Sequence, residues 1–102
     1  MAPITSQMPE ISVLVPVMNE QGNIRPLIDE IVATYSGRKF EIIYVNDASN
    51  DGTKDDLLAA QKQVPQLRVL HHENRSGQSA AVRTALLASH APLIAVLDGD
   101  GQ

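Results

Sequence analysis

The stretch ISVLVPV at residues 11–17 decides the fold, because it is an unbroken apolar run as long as one buried β-strand. A strand that is apolar on both sides needs cover on both faces of its sheet, which is typical of parallel sheets in α/β proteins. Pro16 lies near the end of the run, where a missing backbone donor costs little. We therefore expect further apolar strands along the chain, alternating with helices that cover them.

Three more apolar runs follow at intervals, namely FEIIYV at residues 40–45, LRVL at 67–70 and LIAVL at 93–97. The stretches between these runs have helical features. Apolar residues over 23–35 recur every three or four positions, and residues 76–89 are rich in alanine. Thr53, three residues before Asp56, predicts a capping box that opens a helix through about residue 64. Gly37 and Pro65 are expected to end the first and second helices.

This order of strands and helices predicts an α/β three-layer sandwich with a Rossmann-like parallel sheet. Residues 1–10 are predicted to form a loose leader, and residues 11–102 to form one domain or part of one. We place the first strand at the centre, beside the strands that begin near Phe40 and Leu93, because a ligand-binding switch point then lies at their ends. The chain stops at LDGDGQ, directly after an apolar run, which we interpret as the end of a fragment.

Composition excludes several classes of protein. A net charge of -4 argues against nucleic-acid binding, which requires a basic surface. The absence of cysteine excludes a disulfide scaffold, a thiolate zinc site and a cysteine nucleophile. The longest apolar run is far shorter than the roughly 20 residues that cross a bilayer, so a cytoplasmic location is the default expectation.

The pattern Asp98-Gly99-Asp100 follows the last strand. Two carboxylates separated by one glycine can bind Mg²⁺ or Mn²⁺, with a diphosphate completing the coordination shell. Gly99 allows the backbone to approach a ligand closely, and Gln102 could add a neutral oxygen. A simple polar turn remains the alternative, because Asp-Gly pairs are frequent in turns.

Other polar residues also follow strand ends, and in a parallel sheet these ends share one edge. A turn and a helix cap account for residues 50–53 but give no role to Asp47, which we interpret as an acceptor for a nucleobase N–H. Glu20 either favours the start of the next helix electrostatically or contacts the base or ribose. Arg75 either pairs with phosphate at a helix start or is solvated. The adjacent histidines at 71–72 are interpreted as structural or surface residues.

With these strand ends in place, the chain resembles the inverting family 2 glycosyltransferases with the GT-A fold. It is most similar to the branch that contains dolichol-phosphate mannose synthase and bacterial polyprenyl-phosphate glycosyltransferases. The matching segments, which cover most of the chain in the right order, are VPVMNEQGNI at 15–24, VNDASNDGT at 45–53, ENRSGQSAAVRTAL at 73–86 and LDGDGQ at 97–102. The chain departs from the family at Met18, where an aromatic residue is frequent, and at Asn46, where many members have an aspartate.

The resemblance implies a UDP- or GDP-linked sugar as donor and a polyprenyl or dolichyl phosphate as the acceptor, with a longer protein at the cytoplasmic face of a membrane. It implies Mg²⁺ or Mn²⁺ as cofactor, with Asp98, Asp100 and Gln102 as ligands and Asp100 as catalytic residue. With Arg75 added from its place before a helix start, the residues expected to bind the nucleotide sugar are Pro16, Asn19, Glu20, Asp47, Arg75, Asp98, Gly99 and Asp100.

Two alternatives stay open. A nucleotidyltransferase that makes nucleotide sugars usually has a glycine- and basic-rich loop after its first strand, whereas residues 18–22 are acidic with one glycine. A non-catalytic nucleotide-binding module is the second alternative. We expect no sugar transfer by these 102 residues alone, because the acceptor half of the family's catalytic domain is not among them.

Overall fold

The computed structural model describes residues 8–99, which form a parallel sheet with helices on both faces. The strands are β1 Ile11–Val17, β2 Phe40–Asn46, β3 Leu67–His71 and β4 Leu93–Val96, and the helices are α1 Ile24–Thr34, α2 Thr53–Gln63 and α3 Gln78–Ala88. The spatial order is β3-β2-β1-β4, so β1 is central between β2 and β4, as predicted. The predicted α/β class is confirmed. None of the described helices is long and apolar enough to cross a membrane.

The core has two layers because side chains of β1 alternate between the faces of the sheet. Val13 and Val15 pack with Leu57 and other residues of α1 and α2 on one face. Leu14 packs on the other face against α3, whose buried residues there are Ala81 and Ala85. These small side chains allow α3 to approach the sheet closely, which brings its first turn near the ends of β1 and β2.

The outer strand β4 differs from the expectation that every strand is buried. Leu93, Ile94 and Val96 are 54%, 39% and 50% exposed, so that expectation is wrong for β4. The reason is position: β4 pairs with β1 along one side only, and α3 packs over β1 and β2. Among residues 8–99, the apolar surface of β4 therefore remains at the edge of the sheet.

The predicted capping box at the start of α2 is also wrong. The N-cap is Gly52, and Thr53 is buried in the first turn. The Thr53 hydroxyl donates to Asp51 Oδ1 at 2.5 Å and accepts the N–H of Glu20 at 2.8 Å. Asp56 likewise accepts from the Gly22 N–H at 3.0 Å. Both side chains hold the loop after β1, so they are not available to cap their own helix.

Candidate functional site

A cleft of about 360 Å³ lies at the carboxyl edge of the sheet, where β1, β2 and β4 end and α3 begins. A parallel sheet with this strand order has its switch point here, between β1 and β4, because β2 and β3 lie on one side of β1 and β4 lies on the other. Most of the site residues that the sequence predicts are brought together in it. Its described lining is Pro16, Val17, Met18, Glu20, Asp47, Arg75, Gly77, Gln78, Ala81, Asp98 and Gly99.

Asp47 is the most deeply buried polar group of the cleft, with 4% exposure. Its Oδ1 accepts the Ser76 N–H and the His72 Nδ1–H, and its Oδ2 accepts the Gly77 N–H, each at 2.8 Å. Burial alone would raise the pKa of Asp47, but the hydrogen bonds from His72, Ser76 and Gly77 hold it below its ordinary value. Asp47 thus has a structural role that the sequence did not predict, while its contact with a base stays a prediction.

The two histidines that follow β3 each bond to a residue at the end of β2. His72 donates to Asp47, and its Nε2 lies 2.8 Å from Thr84 Oγ1, which donates to the carbonyl of Ala80 in α3. The His71 Nδ1 accepts from the Asn46 amide at 3.2 Å. Partial burial, and secondarily the charge of Lys54, lower the pKa of His71, which favours its neutral form. Both side chains therefore link structural elements around the cleft.

Two segments that follow strand ends, residues 19–22 in the loop after β1 and residues 49–56 in the loop after β2 and the first turn of α2, are joined by reciprocal hydrogen bonds that we call the loop interlock. Four backbone amides of the first loop donate to side chains of the second: Asn19 to Ser49, Glu20 to Thr53, Gln21 to Asp51 and Gly22 to Asp56. In return, Asn50 and Gly52 donate their N–H groups to the side chains of Asn19 and Gln21. The interlock fixes the loop that carries Met18 and Glu20 beside the cleft.

Asn19 does not line the cleft, although the sequence predicts it as a binding residue. Its side-chain oxygen accepts the Asn50 N–H at 2.9 Å, so it serves the interlock, and its binding role stays a prediction. Glu20 lines the cleft and also accepts from the Asn23 side chain at the start of α1, at 3.1 Å. Both interpretations of Glu20 are thus compatible with its position.

Asp98 is exposed in the cleft and accepts a hydrogen bond from Gln78 Nε2 at 3.3 Å. Gln78 lines the cleft although the sequence predicts no separate role for it, and its only signal in the sequence is its place in the segment 73–86. Gly99 lies against β1: a Cβ at this position would meet the side chain of Val17 and would come within 2.7 Å of the Pro16 carbonyl oxygen. Only glycine allows the strand-end segment to approach β1 this closely.

The expected metal ligands are only partly described. Asp98 lies in the cleft, whereas Asp100 and Gln102 lie outside the described residues. Within residues 8–99, no group of three or more His, Asp or Glu side chains is placed to hold a metal ion. The carboxylates of Asp98 and Glu20 nevertheless offer the hard oxygen donors that Mg²⁺ and Mn²⁺ prefer. Among the described lining residues Arg75 is the only cation beside the carboxylates of Glu20, Asp47 and Asp98, so the cleft by itself attracts a diphosphate weakly.

Comparison with known proteins is consistent with this geometry. Residues 12–102 match the family described as glycosyl transferase family 2. Glycosyltransferase AglE of Haloferax volcanii is 34% identical over 98 residues, covering 95% of this chain and 32% of the relative. Dolichyl-phosphate beta-glucosyltransferase ALG5C of Trichomonas vaginalis is 37% identical over 95 residues, covering 86% of this chain and 28% of the relative. The chain thus spans about a third of the length of these curated relatives.

Among solved structures, the mannosyltransferase PcManGT from Pyrobaculum calidifontis, in complex with GDP-Man and Mn²⁺, superposes with a TM-score of 0.80. The match has 28% sequence identity and covers 91% of this chain and 28% of that protein. The described sheet and helices therefore correspond to one part of a larger glycosyltransferase fold.

Proposed function

Because the chain belongs to glycosyl transferase family 2, we propose that it forms the nucleotide-sugar-binding part of an inverting glycosyltransferase. The observation that carries the proposal is the convergence of Asp47, Arg75 and Asp98, from three different strand ends, on one cleft. Its volume of about 360 Å³ lies within the range of small-molecule sites. A longer protein would supply the acceptor half, since the relatives are about three times as long as this chain.

The donor we propose is a UDP- or GDP-linked sugar, and the acceptor is a polyprenyl or dolichyl phosphate. The GDP-Man bound in the P. calidifontis enzyme supports the donor class, and the dolichyl-phosphate glucosyltransferase relative supports a lipid-phosphate acceptor. The oxygen of a phosphate acceptor is already anionic, so transfer to it needs no strong general base. A lipid acceptor places the longer protein at a membrane, and the cytoplasmic face stays our prediction.

The metal we propose is Mg²⁺ or Mn²⁺, held by Asp98 together with Asp100 and Gln102. A divalent cation there would act as a Lewis acid that neutralises charge on the departing diphosphate. Gln78 orients Asp98 through its 3.3 Å hydrogen bond, and Arg75 lines the same cleft as a partner for phosphate oxygens. The Mn²⁺ in the P. calidifontis complex supports this choice.

A nucleotidyltransferase is the less favoured alternative. The described loop after β1 presents Met18 and Glu20 to the cleft, and its amides are already engaged in the loop interlock. A triphosphate site needs a basic, glycine-rich loop with free amides at this position. This loop has neither feature.

Titration calorimetry with UDP and GDP, each in Mn²⁺ and in EDTA, tests the proposed function. We expect weak binding that requires the metal, and a loss of about tenfold in Asp98→Asn, because an amide cannot replace a charged ligand. Asp55→Asn is the matched control, since Asp55 is an exposed carboxylate on α2 outside the cleft lining. Equal affinity in EDTA would reject the metal role, and no binding of either nucleotide would reject the proposed function.

A further inference from the structure

We propose that Asp47 is a positioning residue of the cleft: it holds the segment 75–78 and, through Gln78, sets the orientation of Asp98. This inference rests on the proposed function, because it concerns how the nucleotide cleft is kept in shape. It differs from the role expected from the sequence, in which Asp47 contacts the base directly.

The first step is the convergence of three protein donors on one buried carboxylate. The amides of Ser76 and Gly77 and the ring of His72 all lie 2.8 Å from Asp47 oxygens. Gly77 has φ 96, a left-handed conformation that disfavours other residues, and it allows two successive amides to face the same carboxylate. Asp47 therefore fixes the backbone immediately before α3.

The second step links this backbone to the chemistry of the cleft. Gln78 follows Gly77 directly as the first residue of α3, and its side chain donates to Asp98 at 3.3 Å. Arg75, Gly77 and Gln78 all line the cleft together with Asp98. A displacement of the Ser76 and Gly77 amides consequently moves Arg75, the proposed partner for phosphate, and Gln78, which orients the proposed metal ligand Asp98.

The third step concerns what Asp47 has left for a ligand. Its Oδ1 already accepts two hydrogen bonds and its Oδ2 accepts one, and a carboxylate oxygen has room for about two. His72 also reaches Thr84 on α3, so the same carboxylate is tied to that helix by a second path. Three of about four acceptor places thus serve the protein and one, on Oδ2, is left for a ligand, so we assign the main effect of Asp47 to the protein that surrounds the ligand.

Two substitutions disturb this arrangement from opposite sides. Asp47→Asn keeps the size of the side chain but loses its charge and one of its two acceptor oxygens. Gly77→Ala leaves Asp47 intact; a Cβ at Gly77 would meet nothing within 4 Å, so its effect arises only from the positive φ. We expect both variants to lose about tenfold or more in affinity for UDP or GDP with Mn²⁺, and to lose hydrogen-exchange protection at the amides of residues 76 and 77.

The chain offers a matched control for each variant at the opposite edge of the sheet. Glu41 lies near the start of β2, whereas Asp47 directly follows the end of the same strand. Glu41 is 6% exposed and accepts hydrogen bonds from Ser12, His90 and Arg68. Gly37 has φ 90, and a Cβ added there would likewise meet no atom within 4 Å. Glu41→Gln and Gly37→Ala should lower the stability of the fold while they change nucleotide affinity by less than about twofold.

The outcomes separate the positioning role from the proposed function. Loss of affinity in Asp47→Asn and Gly77→Ala, with both controls unaffected, supports the positioning role. Parental affinity in Gly77→Ala beside a loss in Asp47→Asn would overturn it and favour direct contact with the base. Parental affinity in both variants would overturn it as well. If the parental chain binds neither UDP nor GDP, the proposed function fails, and the positioning role fails with it.

Discussion

The side-chain oxygen of Asn19 lies 2.9 Å from the backbone nitrogen of Asn50, and this contact joins the loops after β1 and β2. Asn19 has φ 57, a left-handed conformation that asparagine tolerates better than most residues. One residue thus shapes its own loop and satisfies an amide of the next loop. The loop interlock therefore accounts for an asparagine at position 19 without any contact to a ligand.

Asn19→Ala should lower the free energy of unfolding by about 1–3 kcal/mol, because it removes the Asn50 hydrogen bond and places alanine at a positive φ. Asn19→Gly removes only the hydrogen bond, since glycine accepts this backbone conformation, and should cost less. Urea denaturation of the three proteins measures both effects. Equal stability of Asn19→Ala and the parental chain would show that the Asn19 side chain contributes nothing to the interlock.

Tyr44→Phe should raise the stability of the fold. The Tyr44 side chain is fully buried, its hydroxyl has no hydrogen-bond partner among residues 8–99, and burial raises the pKa of the phenol. Leaving such a group unpaired costs about 1–3 kcal/mol, so removal of the oxygen should recover about 1 kcal/mol or more. Thermal unfolding tests this, and a clear loss of stability would show that the hydroxyl is hydrogen-bonded after all.

Glu41 should make the stability of the chain depend on pH. Burial alone would raise the pKa of Glu41, but the hydrogen bonds from Ser12, the His90 N–H and Arg68 hold it below its ordinary value. A carboxyl with a lowered pKa in the folded state stabilises the fold above its unfolded pKa of about 4.3. This contribution is lost as the pH falls through the folded pKa.

Urea denaturation of the parental chain and Glu41→Gln between about pH 7 and pH 3 measures the effect. The stability difference between them should be largest at neutral pH and should shrink below about pH 4. Asp47, whose pKa is lowered too, is present in both proteins, so its contribution cancels in the difference. A difference that stays constant over this range would show that Glu41 does not titrate as proposed.

Gly99→Ala should weaken nucleotide binding by about tenfold, with little loss of overall stability. The added methyl group would meet Val17 and lie 2.7 Å from the Pro16 carbonyl oxygen, and the central strand β1 cannot move away. The segment that carries Asp98 must shift instead. Calorimetry with UDP and GDP in Mn²⁺ tests this against Gly37→Ala, and parental affinity in Gly99→Ala would contradict the close approach.

The sequence predicted the strands, the central place of β1 and the edge that carries the cleft, because apolar runs are local patterns and the switch-point rule follows from the alternation of strands and helices along the chain. It did not predict the partners of Thr53 and Asp56. Residue types that cap a helix are the same ones that accept hydrogen bonds from a distant loop, and only the packing of the loop after β1 decides between these uses. Tertiary contacts thus overrode a local signal.

The candidate site was predictable in location but less so in its internal contacts. Asp47 and Asp98 follow strand ends, so their convergence is a consequence of sheet topology. The hydrogen bonds from the Ser76 and Gly77 amides to Asp47 join residues about thirty positions apart and depend on the left-handed Gly77, which no sequence periodicity signals. The contacts of Glu41 are unpredictable from the sequence for a similar reason, because its partners lie on three other parts of the chain.

The most direct measurement is a map of the nucleotide site by amide chemical shifts during titration with UDP and GDP in Mg²⁺. We predict that the shifts of Met18, Gly77 and Gly99 change, and that EDTA abolishes these changes. The opposite edge of the sheet holds a second cleft, whose described lining has three cations, Arg38, Lys39 and Arg68, against the one carboxylate of Glu41, and this excess of positive charge would suit a bare anion. Metal-independent changes at that edge, with none at the carboxyl edge, would contradict the proposed site.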